Sequence, residues 1–156
     1  NISLGFQPTT DGESPQFGTY TATLSATGTV YNNANGRQPS NASTESDTYN
    51  IAPCAFTAKN LRVYSPTAPA GTGTRTMTLR QNVADSALAA QLSGASAPAT
   101  AQDITHSVSM VATDLFDFSQ VPANTPAVAE VAYGWTAYVA PVVSVSLGSN
   151  LTMMGI

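Results

Sequence analysis

Charge is what this chain most lacks. Asp, Glu, Lys and Arg make up 9% of its 156 residues, against roughly 25% in an ordinary soluble domain. The five basic residues stand apart at Arg37, Lys59, Arg62, Arg75 and Arg80, and the formal net charge is −4. A protein that neutralises phosphates clusters its Lys and Arg, so nucleic acid is not an expected partner. With Cys54 as the one cysteine, no intramolecular disulfide can form. Its place in the apolar run IAPCAF predicts a small buried hydrophobe, not a reactive thiol or a metal ligand. No His/Cys cluster has zinc-site spacing, because His106 is the one histidine. No run nears the roughly 18 apolar residues of a membrane helix and no secretory leader pattern is read, so a membrane is not an expected partner either.

Ser, Thr, Asn, Gln and Ala take the place of charge. A neutral polar surface suits packing against copies of itself, because few charges must be desolvated at a contact. The length fits one domain, residues 1–156, large enough to bury a core without disulfides or metals. The central stretch 60–118 is a series of short alternating runs. Leu61 and Val63 fall two apart, as do Met77 and Leu79, and Val108 and Met110, the period of strands with one buried face. The link SPTAPAGTG carries Pro66, Pro69, Gly71 and Gly73, which forbid helix and permit reversal, so the strands on either side of it are expected to pair. Residues 85–93 (DSALAAQLS) contain good helix formers, but Gly94, Ser96 and Pro98 leave too short a run, and strand is expected.

Residues 1–47 are the least regular part. Within 17–30, Phe17, Thr19, Thr21 and Thr23 alternate with Tyr20, Ala22 and Leu24; residues 31–50 (YNNANGRQPSNASTESDTYN) look unable to bury apolar surface and are expected as an exposed loop. Asn1, Asn41 and Asn150 each begin an N-x-Ser/Thr triplet, a pattern common by chance in so Thr-rich a chain. In 131–139, Val131, Tyr133, Trp135, Ala137 and Val139 share a face, with Trp135 as the expected core anchor; Val143, Val145 and Leu147 predict a last strand. The total is about eight strands, all-β and antiparallel, at a spacing typical of a sandwich or jelly roll.

No set of residues converges on catalysis. Asp103 and His106 lie three apart on a predicted strand, hence on opposite faces, and no strained nucleophile turn is present. Asp114 and Asp117 follow a turn, and Asp85 sits in another. Without the ligand spacing of a calcium loop, turn capping is the better account. Tyr133, Trp135 and Tyr138 raise the question of a sugar platform, but the first two keep the company of a core. The expectation is therefore a non-enzymatic protein with no catalytic, metal or cofactor-binding residues and no cofactor.

The order of segments LRVYSPTAPAGTGTRTMTLRQN, DSAL, AQLSG, HSVSM, ATDLFDF and GWTAYV resembles a group of small jelly-roll β-sandwich proteins encoded by tailed bacteriophages. In that group a "TxTLRxN" strand is followed by a "D(T/S)AL" turn, an "HSVxV" strand, an "AAGDL" segment and a late Trp strand. The resemblance covers about residues 48–140 and departs at Thr113, where the group usually has Gly before Asp. It implies an antiparallel β-sandwich of jelly-roll type, a virion location, on the capsid exterior or the tail, and a role as a capsid decoration (cement) protein, often trimeric. Its partners would be copies of itself and the major capsid protein or another virion protein. The alternative it leaves open is a receptor- or glycan-binding tail or fibre module, and it carries no catalytic residues over.

The sequence closes on an apolar tail, 151–156, in which Leu151, Met153, Met154 and Ile156 are interface candidates. Flexible Met suits irregular gaps, and burying four such side chains could contribute on the order of 4–8 kcal/mol before ordering entropy. Deleting residues 151–156 is therefore expected to leave thermal melting of the isolated chain nearly unchanged while weakening assembly, measured by melting and sedimentation of the truncated protein. A large fall in melting temperature with assembly intact would place the tail on its own core.

Overall fold

The computed structural model describes residues 10–21, 23–38, 42–127 and 130–141. They form β1 (Glu13–Tyr20), β2 (Val30–Asn32), β3 (Gly36–Gln38), β4 (Asn50–Ile51), β5 (Phe56–Ser65), β6 (Thr74–Gln81), β7 (Ala84–Ser93), β8 (Ala99–Met110), β9 (Leu115–Ala123) and β10 (Val131–Tyr138), with one 3-10 turn at Glu45–Asp47. The expected last strand from residue 142 onward and the apolar tail lie outside the described residues.

Two sheets face each other. The first runs β3-β1-β10-β5-β8 and the second β2-β9-β6-β7, with β4 also pairing β9. All pairings are antiparallel except β1 with β3. Setting aside the short β3 and β4, eight strands divide between the sheets as β1-β10-β5-β8 and β2-β9-β6-β7, the double Greek-key order of a jelly roll; the strand periodicity led us to expect an all-β sandwich, and the resemblance implied the jelly-roll order. The strands flanking the Pro/Gly link do not pair, however. β5 belongs to the first sheet and β6 to the second, so residues 66–73 arch across one end of the sandwich. Two prolines and two glycines serve an arch as well as a hairpin, and strand alternation carries no information about which neighbour a strand takes.

The core follows the alternation closely. Leu61 and Val63 of β5, Met77 and Leu79 of β6, Leu88, Ala90 and Leu92 of β7, and Phe116 and Phe118 of β9 are buried, with Tyr133 and Trp135 from β10 among them. Residues 85–93 are strand, as expected, within β7. Trp135 packs on Phe56 of its own sheet, with ring centroids 6.0 Å apart, and edge-on to Phe116 and Phe118 of the facing sheet at 6.2 and 6.5 Å. Its Nε1 donates to the Ala34 carbonyl at 3.0 Å, and the Tyr133 hydroxyl donates to the carbonyl of Asn33. Gly18 lies opposite Tyr133, and a Cβ there would overlap the Tyr133 ring, so this glycine is required by the packing of the large side chain beside it.

The polar stretch 31–50 is thus not the free loop its composition suggested. It contributes β2, β3 and the 3-10 turn, buries Asn32, Ala34, Ala42 and Thr48, and supplies the carbonyls that accept from the buried Tyr133 hydroxyl and Trp135 indole. Small Ala and backbone acceptors do this work, and a hydropathy count misses both.

Two bulges interrupt the edge strands. Lys59 pairs Ser107 and Leu61 pairs Asp103, so residues 104–106 of β8 face the single Asn60. Thr78 pairs Ala89 and Arg80 pairs Asp85, so residues 86–88 of β7 face Leu79. At the turn into β9, Thr113 holds a left-handed φ of 76°, a conformation costly for a β-branched residue. This is the position where the resembling group has Gly. Thr113→Gly is expected to stabilise the fold by about 0.5–1 kcal/mol, raising the melting temperature by roughly 1–4 °C in a calorimetric scan; an unchanged or lower value would show that the threonine is unstrained.

Candidate functional site

The outer face of the first sheet carries an open trough of about 1300 Å³. Strand register builds it row by row. Phe17, Gly134, Arg62 and Gln102 stand side by side across β1, β10, β5 and β8, and the next row is Thr19, Ala132, Tyr64 and Thr100. Because neighbouring strands are about 4.8 Å apart, side chains of β1 and β5 rise roughly 10 Å from one another across β10. The β10 residues between them are Gly134 and Ala132, so the floor is low and the walls are tall. A Cβ on Gly134 would sit 3.3 Å from the Phe17 ring, and a larger side chain there would fill the trough. Phe17 is 56% exposed and Tyr64 44%. Arg62 donates from Nη1 to the Gln102 side-chain carbonyl, and none of the ion pairs among the described residues involves Arg62. Among the described residues, no Asp or Glu lines the trough.

The residues singled out from sequence fall elsewhere. Tyr133 and Trp135 are buried and cannot form a sugar platform; Tyr138 lies on the rim under Lys59, whose ammonium stands 5.1 Å from the ring centre and is paired with Glu13 at 2.6 Å. Cys54 is exposed, contrary to the buried position its apolar neighbours suggested. It lies in the irregular connection between β4 and β5, after Pro53, where no strand turns it inward.

Asp103 and His106 do meet, which strict alternation ruled out. The bulge at 104–106 changes the phase, so that His106 Nδ1 lies 2.9 Å from Asp103 Oδ2. The Asp103 carboxylate also accepts the N–H groups of Ala89, Thr105 and His106, each at 3.1 Å. Burial opposes its ionisation, yet these donors outweigh it and hold the carboxyl well below the usual range. Ala89 is in the second sheet and Asp103 in the first, so the carboxylate ties the two sheets together at their edges. With its other contacts to Thr105 and His106 inside the bulge, the pair is a structural clasp.

Asp114 caps its turn, as expected. It accepts the Val111 N–H at 2.9 Å, Asn82 Nδ2 at 2.8 Å and Gln81 Nε2 at 2.6 Å, which lower its pKa. Asp117, on the outside of the second sheet, lies beneath residues 42–49 and accepts the Thr48 hydroxyl at 2.6 Å. Arg80 beside it is taken by Glu45 at 2.6 Å and by Asp85. Burial pushes Asp117 up to about 6, with the Thr48 hydroxyl and Arg80 opposing and the Glu45 charge adding to it. Asp117 and His106 belong to different sheets, and no group of three His, Cys, Asp or Glu among the described residues could hold a metal. The interface candidates Leu151, Met153, Met154 and Ile156 lie outside the described residues.

Sequence reasoning passed over Phe17, Arg62, Tyr64 and Gln102 as a group. The alternation does set Phe17 opposite Tyr20, and Arg62 and Tyr64 opposite Leu61 and Val63. Their juxtaposition needs the order β1-β10-β5-β8, in which no neighbours are consecutive in the chain. Compared with family models and with curated proteins, the chain matches none.

A raised folded-state pKa means that the native state holds the Asp117 proton more tightly than the unfolded chain, so this group's stabilising contribution is full below about pH 4 and is lost as pH rises through about 6. Asp117→Asn is expected to be more stable than the wild type by about 1–2 kcal/mol at pH 8, after allowance for solvent screening, with the difference vanishing near pH 4. Urea denaturation of both proteins at the two pH values checks this; a constant difference would place the cause elsewhere.

Proposed function

We propose that the chain is a non-enzymatic structural protein of a tailed-phage virion, a capsid decoration (cement) protein that assembles with copies of itself, as a trimer, and with the major capsid protein. What carries this reading is the way the resembling segments fall on the fold. TMTLRQ lies in β6, DSALAAQLS in β7, HSVSM at the end of β8, and GWTAY in β10, while the ATD of ATDLFDF forms the β8–β9 turn. The low charge supports the same reading, since a surface of Thr, Ser and Ala can be buried between subunits at little desolvation cost. So do the scattered exposed apolar side chains Ile51, Val83, Val111 and Val121, although single exposed apolar residues are common on any surface.

A second reading, a receptor- or glycan-binding module of a tail or fibre, is favoured by one observation: two aromatic rings, Phe17 and Tyr64, stand exposed on the same sheet face. Copy number separates the two. In particles purified from the phage encoding this chain, quantitative mass spectrometry is expected to find it at hundreds of copies per capsid. A handful of copies would favour the tail reading, and absence from the particle would overturn both.

A further inference from the structure

We propose that the outer trough of the first sheet binds an acidic sugar chain, with Phe17 and Tyr64 as stacking faces and Arg62 as the group that takes a uronate carboxylate. This deepens the second reading above and rests on it. Phe17 and Tyr64 are two strands and one row apart, which places their backbones roughly 12 Å from one another. The separation gives each ring its own sugar, and the diagonal between them crosses Gly134 and Ala132, the low floor. Arg62 occupies the corner of this triangle, in the row of Phe17 and on the strand of Tyr64, so a carboxylate on a ring stacked over either aromatic comes within its reach. Gln102 holds the guanidinium through Nη1 and leaves the other edge for the two parallel hydrogen bonds a carboxylate accepts. Around them the lining is neutral and polar, with Thr100, Thr136 and Asn60.

Charge selects among occupants. The chain carries −4 overall, yet the ionisable side chains that face into the trough are Arg62 and Tyr64, and no acid is among its described lining residues; Glu130 borders Tyr64 on the side away from Arg62. A second copy meeting this face across a two-fold axis would set Arg62 against another Arg62 with no carboxylate to receive either. An acidic peptide would satisfy the cation but has no special use for two flat apolar faces, whereas the C–H faces of sugar rings do.

The test uses the full chain in native gels containing polygalacturonate, alginate, hyaluronate, neutral dextran or poly-L-glutamate. Retardation by at least one uronate polymer is expected, exceeding that by dextran and by poly-L-glutamate. Phe17→Ala and Tyr64→Ala should each weaken it about tenfold, as loss of one stacking contact does. Arg62→Gln should remove the preference for the uronate over dextran. All three side chains project from the surface, so unchanged melting of the variants verifies that the fold is intact. Equal retardation by poly-L-glutamate, or full retention in both aromatic variants, overturns the proposal. Retardation by dextran alone overturns the acidic class while leaving the sugar-binding reading standing; no retardation by any polymer ends both.

Discussion

The contact on which this fold depends is the indole of Trp135. It is inserted between sheets, touching Phe56 on one side and Phe116 and Phe118 on the other, and its one polar atom is satisfied by the carbonyl of Ala34. Such aromatic pairs add about 0.5–1.5 kcal/mol each beyond the area they bury. The N–H bond also fixes the β2–β3 connection over the core, which Tyr133 secures again one residue earlier at Asn33. A stretch with almost no apolar side chains is thereby made part of the folded domain, and β10 is fixed as a central strand of the first sheet. From that placement follow the register with β1 and β5 and hence the outer trough, whose floor is the reverse side of the strand that carries Trp135.

Inward and outward faces could be read from the chain because they depend on a period of two. Leu61 and Val63, Met77 and Leu79, and Tyr133 and Trp135 are inward as expected. Partnership could not be read, because nothing local distinguishes a hairpin from an arch, and β5 and β6 part company across the Pro66–Gly73 connection. Local phase failed where the strand itself is irregular: three residues against Asn60 bring His106 round to Asp103. Cys54 shows the reverse error, where an apolar run was read as buried although Pro53 withdraws it from any strand. The trough was half legible: its residues could be assigned to solvent one strand at a time, while their assembly depends on four strands that are distant in sequence.

Not every buried group is well satisfied. Arg75 is inside the sandwich, 1% exposed, with Nη2 donating to the Ser25 carbonyl at 2.5 Å and neither Nε nor Nη1 partnered; burial lowers its pKa to about 10. Asn32 and Gln120, on the neighbouring strands β2 and β9, share one buried hydrogen bond of 2.5 Å and each leaves a polar atom unmatched. Such groups cost stability compared with apolar residues of similar volume. They lie on β2, β6 and β9 of the second sheet, and Asn32 stands directly opposite Phe118, so unsatisfied polar groups border the aromatic knot itself.

The two edge bulges have a consequence for crowding. Most sandwiches keep their open edges from zipping onto those of neighbours with lysines and other charges. This chain has few charges to spend. Its β7 and β8 edges are instead broken in shape, each by three residues set against one, and the Asp103 carboxylate draws them together through the Ala89 N–H. An approaching strand finds no straight run of free amides and carbonyls along this side. Along this side, copies of the protein can therefore be brought to high local density without merging into a continuous sheet.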